Sequence, residues 1–365
     1  MQEYTPDRAF FKTGEQRFRT VLNRETPDRV PVAAQMHEFV MRHKGLNARE
    51  FYTRAEIFVP AVLECMEELG IEIPFLDFDG YNIEVEGLGQ PIQYSDTHMP
   101  DVDPKHRLLE DKAGLSAIRT PDFATAGRFS NVVAMYRLFF ELSGVKPVMR
   151  FAAPFSMATQ LRGVDKLLID LYEDPEWVKS LFSVLTEEVL APYLRYLKEH
   201  IPNDYPGHGL GGADAMASPP ILSPKLLEDW VVPYFTRLRE LIGPEVYLPN
   251  WWGDRYFKNP EDMFALKQRV CPAFLEVQDP DVEHIGPEIC RRYATEHSMA
   301  LVLGLGSVFL ASASPEAVYA RVRDYVTLGR ENPGFYLYLC NIGATTPREN
   351  IDAAMEAVDT FGRYS

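Results

Sequence analysis

The sequence predicts an α/β protein folded as a (β/α)8 TIM barrel, with an N-terminal arm before it and an excursion after the second strand. Three observations carry that prediction. Eight short apolar runs are separated by segments of helical periodicity, the alternation that builds parallel βαβ units. The last run, residues 335–339, ends in Cys340-Asn341 and passes through a Thr-Pro turn into a helical pattern, the form of a final βα unit. At 365 residues, with 46% hydrophobic and 25% charged residues and no low-complexity block, the chain suits one barrel with insertions.

Residues 1–29 are read as the arm, polar apart from a helical stretch over 10–23, and residues 30–365 as the barrel domain. The first strand is the short apolar run Arg29-Val30-Pro31-Val32-Ala33-Ala34-Gln35-Met36, with His37 and Glu38 at its end. Phe51, Ile57, Phe58, Val62, Met66 and Leu69 recur at near-helical spacing and predict one helix over 49–69, stopped by Gly70. Residues 71–78 read as the second strand, carrying Asp77 and Asp79 at its end. Residues 80–125 mix turns with charged pieces and predict an excursion over the barrel mouth.

A helix over 126–141 precedes a strand over 145–152, and Pro154-Phe155-Ser156 turns the chain into a helix over 157–171. Asp174-Pro175-Glu176 caps a long helix to Glu199, and Ser223-Pro224 caps another. Between them, the glycine-rich run from Gly207 to Asp214 is the end of the fourth strand. The strand over 245–249 ends in Asn250-Trp251-Trp252-Gly253, and that over 273–277 ends in Gln278-Asp279. Residues 300–305 and 335–339 complete the set, with Thr346 expected to cap the last helix and Pro347 to open it.

A formal net charge of −16, spread along the chain, argues against nucleic acid or an anionic membrane as a partner. Cys65, Cys271, Cys290 and Cys340 stand far apart, without the spacing of a disulfide framework or zinc ribbon. The N-terminal residues lack the apolar core of a signal peptide, and no run is long enough to span a membrane, so a cytoplasmic protein is expected.

Side chains at the carboxyl ends of barrel strands face the site, which singles out the chemistry-bearing residues there. Cys340 is a metal ligand, a catalytic thiol or core packing. Of His37 and Glu38, adjacent on a strand, one is expected to point inward as a general acid or base. Asp77 and Asp79 share a face and either protonate a leaving group, hold a metal or cap a turn. Asp214 follows a glycine run that lets backbone approach a ligand, and Glu276 and Gln278 alternate with Val277 so as to bond a substrate or join Asp214 on a divalent metal. His208, before the glycine run, is the one other histidine placed to reach the mouth.

Ala153-Pro154-Phe155-Ser156-Met157-Ala158, Ser223-Pro224 with Val232-Pro233-Tyr234, and Thr346-Pro347-Arg348-Glu349-Asn350 together resemble motifs of the uroporphyrinogen decarboxylase superfamily, across nearly the whole chain. That superfamily also holds corrinoid-dependent methyltransferases. The departures from its decarboxylases are specific. Where they carry an Arg-Gln-Ala-Gly-Arg segment that would neutralise a polycarboxylate substrate, this chain has Gln35-Met36-His37-Glu38-Phe39. Gln160 replaces a family tyrosine, and Cys340 stands in place of a family histidine. Porphyrinogen decarboxylation is therefore not expected.

Cys340 instead resembles the methyltransferase branch, in which a His-x-Cys-Gly motif and this last-strand Cys hold a zinc that activates a thiol. Here that motif reads Asn250-Trp251-Trp252-Gly253, keeping the glycine and losing both ligands. What the resemblance then implies is an enzyme that demethylates a small O- or N-methyl substrate and passes the methyl group to a corrinoid protein.

In that scheme Asp214, Glu276, Asp79 or His37 moves a proton, and Asn250, Trp251, Trp252, Gln278, Phe155, Gln160 and Asn341 bind substrate. The two tryptophans would form a flat wall for an aromatic or quaternary ammonium group. Cys340 would hold zinc if a metal site is rebuilt, no cofactor is expected to be bound tightly, and a homodimer is expected. A lyase or decarboxylase of another small carboxylated substrate, or a binding protein that has lost catalysis, is the alternative.

Overall fold

The structure is a computed structural model that describes residues 4–79 and 81–364. The first three residues of the arm, Gly80 at the start of the expected excursion, and Ser365 lie outside the described residues. The strands, in chain order, are β1 (Val32–Ala34), β2 (Ile92–Gln93), β3 (Asp101–Val102), β4 (Met149–Ala152), β5 (Leu210–Ala213), β6 (Val246–Tyr247), β7 (Phe274–Gln278), β8 (Ala300–Leu305) and β9 (Phe335–Leu339). Strands β2 and β3 pair antiparallel as a small hairpin. The others are parallel and form two ladders, β1-β9-β8-β7 and β4-β5-β6, with helices following each barrel strand.

The ladders are joined on one side by residues 71–78. Ile73 N donates to Val32 O at 3.2 Å, Val148 N donates to Pro74 O at 2.9 Å, and Phe75 bridges Val148. The expected second strand is thus an extended segment with sparse pairing, because Pro74 has no N–H to give a ladder. On the other side β6 and β7 share no ladder. Pro244 and Pro249 flank the short β6, and Leu248 N turns to Val270 O. The buried Lys267 spans the join, its Nζ donating to the carbonyls of Pro249 and Glu276, both at 2.8 Å.

The pleat sorts residues into two cores by the period of two. Leu301, Leu303, Leu305, Leu337 and Leu339 pack outward against the helices, whereas Val302, Tyr336, Tyr338, Phe274 and Tyr247 fill the barrel. The arm helix Arg8–Leu22, capped by Asp7, sends Phe18 and Val21 into that inner cluster. Phe18 lies edge-on to Tyr205, His208 and Tyr336 at centroid distances of 5.2, 5.0 and 5.9 Å, closing the barrel where its strands begin.

Several helices differ from expectation. The helix expected over 49–69 is two, Ala48–Thr53 and Ala55–Leu69, because Arg54 is extended. That expected over 157–171 is also two, Pro154–Arg162 and Val164–Glu173, parted by Gly163 at φ +91°. Asp174 and Ser223 do cap their helices, accepting from Trp177 N and Leu226 N. The last helix is Arg348–Phe361, and Pro347, with an extended ψ of 138°, occupies the cap position expected for Thr346. Thr346 Oγ1 instead accepts from Gly343 N at 3.1 Å and closes the preceding turn.

The excursion packs against the helix after β4. Leu109 N donates to Leu161 O at 3.0 Å, and Arg107 Nη1 to Gln160 O at 2.6 Å. Among its described residues only Tyr81 lines the barrel cavity, so the segment expected over the mouth contributes one side chain to it.

Candidate active site

A cavity of about 270 Å3 runs from the barrel interior to the loops that follow the strands. One part of its wall comes from β7 and β9. Glu276 and Gln278 on β7, and Tyr336, Tyr338 and Cys340 on and after β9, face inward together because alternate residues share a face. Gln278 pairs in register with Gly304, and Gly304 with Tyr338. A Cβ on Gly304 would sit 2.8 Å from Gln278 Cγ, so this glycine leaves the room that Gln278 fills.

Cys340 Sγ donates to Gln278 Oε1 at 2.8 Å, and Gln278 Nε2 donates to Glu276 Oε1. Burial raises the Glu276 pKa, opposed by Lys267, the Gln278 hydrogen bond and Arg150. Burial also pushes up the Cys340 thiol, aided by the nearby carboxylates of Glu276, Asp279 and Asp77. Cys340 is thus held as a thiol, in keeping with its role as donor.

The rest of the wall comes from β4, β6 and the loop before β5. Arg150, Tyr247 and His208 line it, with Tyr81 beside them. His208 stacks on Tyr247 at 4.4 Å, and burial with the neighbouring Arg150 charge holds its pKa well below the ordinary value, so the ring is neutral. Burial raises Asp77, whose Oδ2 accepts from Tyr81 Oη at 2.7 Å.

The Asn250 loop is fixed from below. Gly253 has φ +106°, and a Cβ there would lie 2.9 Å from Pro219, so glycine is required on both counts. Asp281 accepts from the amides of Gly253 and Asp254 at 2.7 and 3.2 Å. This places Asn250 and Trp252 on the cavity, while Trp251 is buried in the outer core. The flat wall expected from two tryptophans is therefore made by Trp252 alone.

Glu276, Gln278, Cys340, Asn250, Trp252, Asn341 and His208 are brought together on the cavity. Asn341 reaches it from a left-handed backbone at φ +54°. Other expected site residues lie elsewhere. His37 opens the helix His37–His43 and bonds Tyr52 Oη through Nδ1 at 2.9 Å. Asp79 pairs with Arg128 at 2.7 Å and accepts from the amides of Tyr81 and Asn82, the turn-capping role. Phe155 packs on Phe182, and Gln160 Nε2 donates to Asn82 Oδ1.

Asp214 lies in the wall rather than on the cavity. Its Oδ1 accepts from the amide and hydroxyl of Ser156, both at 2.8 Å, in the first turn of the helix Pro154–Arg162. Burial pushes its pKa up to about 7. Its own amide donates to Asn250 Oδ1 at 3.1 Å, which ties the two loops together.

Among the described residues, no three His, Cys, Asp or Glu side chains gather closely enough to hold a metal. Cys340 Sγ is taken up by the Gln278 amide, and the set of His, Cys or carboxylate donors that a tetrahedral zinc requires is not gathered around it among the described residues. The residues present do not fit a protein-held zinc.

Sequence reasoning passed over Arg150, Tyr81, Tyr247 and the Tyr336-Tyr338 pair. Arg150 carried a readable signal, a lone charge in the apolar run Val148-Met149-Arg150-Phe151-Ala152. Tyr336, Tyr338 and Cys340 share one face by the same period of two. Tyr81 had no such signal, since it comes from the excursion.

No helix is long and apolar enough to cross a membrane among the described residues. No curated protein matches the sequence. Among solved structures, the chain is similar to a methyltransferase from Methanosarcina mazei, with 21% identity and a TM-score of 0.72 over 95% of this chain and 98% of that one. It is more distantly similar to an endo-1,4-beta-D-mannanase from Thermotoga petrophila RKU-1, with 12% identity and a TM-score of 0.45 over 91% and 100% of the two chains. The first likeness shows the (β/α)8 fold. The uroporphyrinogen decarboxylase (URO-D) profile matches residues 13–361, and on that match the chain belongs to the uroporphyrinogen decarboxylase family.

Proposed function

We propose that this protein is a methyltransferase that removes a methyl group from a small aromatic ether or amine and delivers it to a corrinoid protein. The observation that carries the reading is a buried carboxyl, Glu276, set on an aromatic-walled cavity and biased by burial toward its protonated form. The bond between the methyl carbon and its heteroatom breaks, the electron pair stays on the heteroatom, and the Glu276 proton goes to that atom. Protonation matters because an alkoxide or phenoxide leaves poorly at neutral pH.

Trp252 and the tyrosines supply flat apolar faces for the ring. Gln278 holds Glu276 in place through its amide. A reduced corrinoid brought by a partner protein would supply the nucleophile that accepts the methyl group. A cavity of about 270 Å3 suits such a small molecule better than a tetrapyrrole bearing many carboxylates. The fold shared with the Methanosarcina mazei methyltransferase supports the same reaction class.

The test is turnover of methoxylated aromatics with and without a reduced corrinoid protein. Demethylated product should depend on the corrinoid, and Glu276→Gln should lower kcat about 100-fold with KM little changed. Carbon dioxide release, or turnover that ignores the corrinoid, would replace this reading with a lyase or decarboxylase.

A further inference from the structure

We propose that Arg150, with the hydroxyl of Tyr247 beside it, is a carboxylate subsite, and that the substrate is a methylated aromatic acid. The methylated part rests on the methyl-transfer reading; the carboxylate part rests on Arg150 alone.

Two buried arginines make the case by contrast. Arg128 is 7% exposed and pairs with Asp79 and Glu86 at 2.7 and 2.6 Å. Arg150 is 5% exposed, yet no carboxylate among the described residues lies in ion-pair range of it, its one side-chain hydrogen bond is Nη2 to Tyr81 Oη at 3.3 Å, and Nε has no partner. A buried charge without a partner is costly, so a fold that keeps one on a cavity wall is arranged for an incoming anion. Asp77 reaches Arg150 only through Tyr81, whose hydroxyl donates to Asp77 and accepts from the guanidinium.

The geometry favours a planar anion. The guanidinium carbon lies over the rings of Phe75 and Tyr81, at 4.8 and 5.8 Å from their centroids, and the Nε edge has no partner among the described residues. Such an edge takes a carboxylate through two parallel bonds.

Register brings in the second donor. Arg150 pairs with Gly211, and Gly211 with Tyr247, on adjacent strands. A Cβ on Gly211 would stand 2.2 Å from Arg150 Nη1 and 2.6 Å from Tyr247 Oη, so the glycine is what allows both groups to occupy this layer. Tyr247 Oη is buried without a partner among the described residues and can donate to the same carboxylate. One arginine and one hydroxyl match a single negative charge, not a phosphate or a polyanion.

The experiment is calorimetric titration of the purified full-length protein with 4-methoxybenzoate and with 4-methoxybenzamide, which differ in the charge. Wild type should bind the acid about tenfold or more tightly than the amide. Arg150→Gln should bring the ratio near one, chiefly through loss of acid affinity, and Arg150→Lys should restore part of it. Equal affinities in wild type, no binding of the acid at millimolar concentration, or a ratio that survives Arg150→Gln in a folded variant would each overturn the subsite. The two proposals fail separately. Acid preference without corrinoid-dependent demethylation leaves the subsite standing, and demethylation of acid and amide at equal affinity leaves only the methyl transfer.

Discussion

On the β7 and β9 side of the cavity, polar groups satisfy one another: Cys340 donates to Gln278, and Gln278 to Glu276. On the β4 and β6 side, buried groups do not, for Arg150 Nε, Tyr247 Oη and His208 Nδ1 have no partner among the described residues. Burial makes each unmet donor or acceptor expensive. The first wall is therefore fixed by its own bonds, as the proposed proton donor must be, and the second leaves donors for the proposed carboxylate to meet. On the two proposals above, the cavity divides chemistry from recognition along the two ladders of the barrel.

Substitutions that remove comparable polar groups from the two walls should separate them. The largest effect is expected at Glu276, where Gln keeps the shape and the bond to Gln278 but loses the proton, at about 100-fold in kcat. Gln278→Leu strips the partner from both Glu276 and Cys340 and should cost roughly 1–3 kcal/mol in urea unfolding. A loss below about 0.5 kcal/mol would mean that wall is not held by its own bonds.

Asp214 tests the support beneath Asn250. Its folded pKa of about 7 lies above the ordinary 3.8, so its contribution to stability is fully present below pH 3.8 and is lost as pH rises through 7. Asp214→Asn removes that titration. The variant should gain on wild type by at least about 1 kcal/mol between pH 5 and pH 8, and parallel pH profiles would show that Asp214 does not titrate in this range. The smallest change is expected for Tyr247→Phe, which deletes a hydroxyl with no protein bond and should alter stability by less than about 0.5 kcal/mol while weakening 4-methoxybenzoate binding.

How far the site was legible follows from where its residues lie. Glu276, Gln278 and Cys340 ended strands with clear alternation and could be placed by counting. Asp79 and His37 ended runs of the same kind, yet one is bound by Arg128 and the other by Tyr52, partners 49 and 15 residues away. Pairing across such separations has no local pattern. Trp251 and Trp252 are identical in type, and only the turn at Gly253 decides which of them meets the cavity.

By itself the sequence determined the alternation of strands and helices, the caps at Asp174 and Ser223, and the inward face of each well-formed strand, because these depend on residues within a few positions of one another. Tertiary structure alone decided that Lys267 spans the gap between β6 and β7, that the arm's Phe18 closes the barrel, and that Arg150 is left without a carboxylate. Each of these is a matter of which groups meet after the strands close, and hydrogen bonding and charge pairing at close range are set by that meeting rather than by spacing along the chain.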